Sequence, residues 1–105
     1  MLYIVRGRMK ESTTGADIGP INKTLDTELI PALERVQGVN SAEAYNSITG
    51  EIVVIIDIEN AGTVDRILGD ASVGSSVGKW LELATRTGGE ILYDRPAWQG
   101  LYGNN

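Results

Sequence analysis

Whatever chemistry this chain performs is done without cysteine, histidine or phenylalanine, since none occurs among its 105 residues. Without Cys there is no disulfide, no thiolate nucleophile and no Cys-held zinc or iron–sulfur cluster. Without His the commonest general base and metal ligand is missing too. The remaining donors are carboxylates, carbonyls, hydroxyls and the sulfurs of two Met, which hold soft or borderline metals poorly, so neither a transition metal nor haem is expected. Proton transfer falls to carboxylates and tyrosine phenols. The run Ser72–Lys79, SVGSSVGK, superficially matches a phosphate-binding loop. That motif needs glycine where Val73 stands, Ser or Thr where Trp80 stands, and a strand before it, so anion-cradling geometry is not available. Gly74 and Gly78, each costing about 1 kcal/mol of helix propensity against Ala, are instead expected to let a helix approach a sheet closely, or a ligand approach the helix.

Composition removes further classes. The net charge of −5, from 9 basic and 14 acidic residues, opposes a phosphate backbone, and the lack of Phe removes the usual stacking platform of single-strand binders. Nucleic acid is not an expected partner. The longest apolar runs are far too short to span a bilayer, so no membrane is expected either. Residues Met1–Arg8 show no basic region followed by an apolar run of signal-peptide length, which points to the cytoplasm. A chain of this length forms one domain, residues 1–105, burying roughly 60 to 70 % of its unfolded surface. Residues 95–105, with Trp98, Leu101 and Tyr102, read as a C-terminal tail too aromatic for a plain disordered end.

The elements that must position any site are organised around Gly50–Glu59. Side chains alternate across a strand, so Ile52, Val54, Ile56 and Ile58 line one face while Val53 and Ile55 line the other. It is the one run apolar on both strand faces, and both want cover. Leu2–Met9 is a first strand. Lys10–Gly19 is polar and Gly-rich and reads as an exposed loop. Pro20 suits the first turn of a helix, and Ile21, Leu25, Leu29, Ala32, Leu33 and Val36 form its apolar stripe, ending near Gly38. Pro31 removes the bond to Thr27, so a kink or a break is expected there. Val39–Ser47 is a polar edge strand turning back through Ile48-Thr49-Gly50. Asn60 is a candidate N-cap for a second helix, whose apolar phase shifts at Gly69–Ser72, with Asp70 able to cap the second half. Gly88-Gly89 should end that helix, and Glu90–Asp94 should form the fourth strand.

The order β-α-β-β-α-β with right-handed crossovers gives an α+β, ferredoxin-like fold. It has a four-stranded antiparallel sheet in order 4-1-3-2 and both helices on one face. Two helices cover one face, so the face bearing Val53 and Ile55 needs a second copy of the chain; a bare apolar sheet face exceeds what soluble monomers usually tolerate. Here the chain resembles the dimeric α+β barrel superfamily, in which two such sheets pack face to face. The resemblance is carried by the strand MLYIVRGRMK, the hairpin SITGEIVVIIDIEN, the bend GDASV and the closing ILYDRPAW.

That superfamily includes antibiotic-biosynthesis monooxygenases, muconolactone isomerases, haem-degrading enzymes, EthD-type and stress-responsive proteins. The His-free composition speaks against the isomerase and haem-degrading branches. The resemblance implies a homodimer and a mainly apolar pocket between sheet and helices. Candidate lining residues are Tyr3, Tyr45, Trp80 and Tyr93, with Arg6, Asp57 and Asp94 as charged members, and no cofactor is implied. Three readings follow: a dimer binding a small apolar ligand close to Trp80; a cofactor-independent oxygenase or isomerase on a hydrophobic substrate, needing a carboxylate or phenol and an oxyanion donor; and a regulatory module. The third is usually fused to a catalytic or DNA-binding domain, for which 105 residues leave no room.

Overall fold

The computed structural model describes residues 1–11 and 15–95. The elements are β1 (Leu2–Met9), α1 (Gly15–Thr24), a π-helical turn (Leu25–Leu29), α2 (Ile30–Glu34), β2 (Val39–Asn46), β3 (Glu51–Ile58), α3 (Gly62–Gly69), α4 (Ala71–Leu81) and β4 (Ala84–Leu92). The sheet is antiparallel in order β2-β3-β1-β4, the order expected from the chain pattern, and the helices lie on one face of it. Ile52, Val54, Ile56 and Ile58 of β3 are buried beneath them. They meet Ile21, Leu25, Leu29, Ala32, Leu33 and Val36 from the first helical stretch and Ile67, Val73 and Trp80 from α3 and α4.

The first helix begins at Gly15, five residues before Pro20. This lead-in was read as loop because its two glycines are poor helix formers and its described side chains are exposed, so no apolar stripe announces it. Pro31 is accommodated by the π-helical turn just before it, where the Ile30 N–H donates to the Leu25 carbonyl. Proline lacks the N–H and its ring would strike the carbonyl four residues back; a widened turn relieves both. Leu25, Leu29 and Leu33 stay buried in one row.

The β2–β3 hairpin closes through Ser47–Gly50. The Ser47 N–H donates to Glu51 O (2.8 Å), and the Gly50 N–H to Ser47 O (3.1 Å). Gly50 takes φ +86°, where a Cβ is disfavoured. Asp70 caps α4, its Oδ1 accepting from the Val73 N–H at 2.9 Å. Asn60 does not cap α3: the N-cap is Ala61, without a side-chain bond, and Asn60 contributes only its carbonyl, to the Thr63 N–H.

The largest departure lies after α4. The helix stops at Leu81, and the chain pairs as β4 from Ala84, so Gly88 and Gly89 sit inside the last strand rather than ending a helix. Their side-chain-free backbone is compatible with both roles, and the pairing with β1 decides between them. The ladder shifts between Arg6, opposite Gly88, and Gly7, opposite Arg86. Thr87 is thus the extra residue of a β-bulge. Of the expected tail, residues 95–105, Arg95 is described and the rest lies outside the described residues. Among the described residues no helix is long and apolar enough to cross a membrane.

Candidate ligand site

A cavity of about 190 Å³ lies between the helices and the sheet. Its floor is Tyr3 and Val5 of β1 with Ile52, Val54 and Ile56 of β3. Its walls are Leu29 and Leu33 on one side and Ile67, Val73, Val77 and Trp80 on the other. Leu68 and Leu81 also border it and are exposed, which marks the side open to solvent. Among these described residues only Tyr3 and Arg86 bring a polar or charged group besides the Trp80 indole, and no carboxylate lines the space.

The indole is set by a gap in the central strand. A Cβ built on Gly7 would fall 1.9 Å from Cη2 of Trp80, so the ring lies directly on the β1 backbone where any other residue would collide. Trp80 is 5 % exposed, and its Nε1 finds no acceptor among the described residues. A buried donor left unmatched costs about 1–3 kcal/mol, and this one is shielded from the cavity as well as from solvent. Gly74 borders the cavity, but Gly78 does not. A Cβ on either would meet nothing within 4 Å, so neither brings helix and sheet together, contrary to the close-approach role expected for them; both are on the exposed side of α4. The close approach is made by Gly7.

Arg86 reaches the site because of the bulge. Residues three apart point to opposite faces of a regular strand, yet Arg86 and Gly89 share one. The Arg86 Nη2 would lie 2.5 Å from a Cβ on Gly89, and Nη2 donates to the Tyr3 hydroxyl at 3.2 Å. The guanidinium therefore lies across Gly89 onto the phenol, and it forms no ion pair among the described residues. Arg86 was invisible in the sequence because Thr85–Thr87 was read as helix end; the only signal was the glycine pair, which marks a bulge as readily as a stop.

Of the residues singled out beforehand, the cavity brings together Tyr3 and Trp80. Arg6, Tyr45 and Asp57 stand on the opposite, uncovered sheet face with Val53 and Ile55. Each has a surface partner there: Arg6 with Glu90 at 3.7 Å, Asp57 accepting from Asn40 Nδ2 at 3.0 Å, and Tyr45 donating to the Glu43 carboxylate. That bond, with the negative charge beside it, pushes the Tyr45 phenol above its ordinary pKa. Tyr93 and Asp94 follow the end of β4 away from the cavity lining, and Asp94 faces the terminal amine of Met1 at 3.4 Å. No group of three or more acidic residues among the described ones is placed to hold a metal.

A four-stranded antiparallel sheet in this order, with helices on one face, is an α+β, ferredoxin-like fold. Solved structures share it across nearly the whole chain. SnoaB, a cofactor-independent oxygenase from Streptomyces nogalater, superposes with TM-score 0.71 at 12 % identity, covering 90 % of this chain and 92 % of its own. An antibiotic biosynthesis monooxygenase gives 0.67 at 14 % identity, covering 90 % and 97 %. Rv0793 from Mycobacterium tuberculosis gives 0.67 at 17 %, covering 90 % and 96 %. No protein-family profile matches the sequence, and no curated protein does.

Proposed function

We propose that the protein binds a small, mainly apolar molecule in the helix–sheet cavity and works as a homodimer joined through its uncovered sheet face. The observation that carries the reading is the cavity: about 190 Å³ walled by aliphatic side chains and the Trp80 ring, with Tyr3 and Arg86 as its polar groups among the described residues. An interior at ordinary density keeps such a space only at a cost in lost contacts, which an occupant would offset. The dimer is supported by Val53 and Ile55, half-buried in the isolated chain, with Ile4, Leu2 and Leu92 beside them in the ladder. Within this reading residues 1–105 act as one cytoplasmic domain, 95–105 being its tail.

A second reading, a cofactor-independent enzyme, is favoured by the guanidinium–phenol pair in an apolar setting. Arg86 would stabilise an oxyanion as it forms, and Tyr3 would relay a proton. With no carboxylate lining the cavity among the described residues, the substrate in this reading would enter as an anion or lose its proton readily. SnoaB bears the name of such an oxygenase.

The test is a thermal-shift screen with a broad apolar library. A binder should raise Tm with the logarithm of its concentration and change Trp80 fluorescence in a Trp98→Tyr background. If neither signal moves, the binding reading fails. Light scattering should give twice the chain mass, and Val53→Glu with Ile55→Glu should give the chain mass. A single-chain mass for the unmodified protein at low micromolar concentration refutes the dimer.

A further inference from the structure

Resting on the binding reading, we infer that the cavity selects a one-ring-sized apolar molecule carrying a single anionic oxygen group, for which Arg86 is the specificity-determining residue and Gly89 the positioning one. Size comes first. An apolar cavity of about 150 Å³ takes up benzene, so about 190 Å³ admits one ring with a short arm, or an alkyl chain of similar volume, and not a fused polycycle.

Charge comes next. Arg86 is the cation that lines the cavity. Lys79 is engaged by Glu28 at 2.5 Å, Arg6 by Glu90, and Arg66 donates to the Gln37 carbonyl. Among the described residues the guanidinium of Arg86 makes one side-chain bond, to the neutral Tyr3 hydroxyl, and no ion pair, which leaves it further N–H groups to donate. An oxygen anion is the group that answers both charge and donors. One charged donor in an apolar space fixes one oxygen-bearing end and leaves the rest of the molecule against the aliphatic wall.

Position comes last. Arg86 is an exposed residue that borders the cavity; the Thr87 bulge turns it to the helix side, and Gly89 has no side chain in its path. A methyl group on Gly89 would meet Nη2 at 2.5 Å. That atom ends a flexible side chain, so the arginine would yield and the strand would not.

The experiment is calorimetric titration of the full-length protein with three probes: 3-phenylpropionate, its neutral counterpart 3-phenylpropanol, and 2-naphthylpropionate as the two-ring acid. The acid should bind the wild type about tenfold tighter than the alcohol, the ratio expected of one charge-assisted hydrogen bond, and the two-ring acid should bind more weakly than either. Arg86→Gln should abolish the acid's advantage and leave alcohol affinity within about twofold; Arg86→Lys should restore part of it. Gly89→Ala should reduce the advantage with Tm unchanged, a result that a purely structural role would not give. Equal affinities for acid and alcohol, or an advantage that survives Arg86→Gln, overturn the charge assignment while leaving the binding reading standing. Undiminished binding of the two-ring acid overturns the size limit. Failure of all three probes on the wild type overturns the inference; the binding reading falls only if the broad apolar library also moves neither Tm nor Trp80 fluorescence.

Discussion

Replacing Gly7 by alanine tests the packing that frames the cavity. The new Cβ would lie 1.9 Å from Cη2 and 2.4 Å from Cζ2 of Trp80, so methyl and indole cannot keep their places together. β1 is hydrogen-bonded to β3 on one side and β4 on the other, which prevents the backbone from retreating. The indole must move, and the nearest room is the cavity it already borders. Overpacking a filled core costs about 1–3 kcal/mol; an adjoining void that receives the ring places this case in the lower part of that range, about 1–2 kcal/mol. At about 4–8 °C per kcal/mol for a domain of this size, Tm should fall by roughly 4–16 °C. The displaced ring also consumes ligand volume, so affinity for an apolar probe should fall with it. Trp80→Leu removes the obstacle, and the double variant should recover at least about 1 kcal/mol relative to the sum of the single changes. Urea denaturation followed by circular dichroism measures all four species without relying on the altered tryptophan. Additivity within about 0.5 kcal/mol, or a Gly7→Ala protein with unchanged Tm, would refute the argument that the indole rests on this glycine.

Two further outcomes follow from local geometry. Asp70→Ala should cost about 1 kcal/mol by removing the cap on the Val73 N–H, whereas Asp70→Asn should cost little; denaturant midpoints at constant m-value decide it. The Tyr45 phenol should ionise above its ordinary value because Glu43 accepts its hydrogen bond, and Glu43→Gln should lower it again. Since the folded-state pKa is the higher one, whatever this bond contributes is complete below the unfolded value, near pH 10, and is lost as pH rises through the folded one. Ultraviolet difference titration against Tyr45→Phe reads the ionisation directly.

The sheet was legible in the sequence because period-two alternation is a strong signal where one face is buried. Ile52, Val54, Ile56 and Ile58 on one side against Val53 and Ile55 on the other determined both the central strand and the need for cover. Tyr3 and Trp80 could be proposed as lining for the same reason: each is the large residue on the covered side of its element. Arg6, Tyr45 and Asp57 were grouped with them because residue type says nothing about sheet face until register is known, and one position of register decides the face. Arg86 and Gly7 were missed for opposite causes. Arg86 faces the cavity through an irregularity of pairing, which has no periodicity to detect. Gly7 matters for what passes over it, a contact with a residue 73 positions later in the chain, and nothing near it in the sequence announces that.

The bulge at Thr87 also bears on solubility. β4 is an edge strand, and a long regular edge is a ready template on which a foreign strand can add. An extra residue near the middle of β4 breaks the even spacing of its outward N–H and C=O groups, so an incoming chain could match the first half of the edge or the second but not both. The segment around it, Thr85–Glu90, carries no large apolar side chain to reward the attempt. Self-recognition is thereby denied to this edge, where it would propagate without limit.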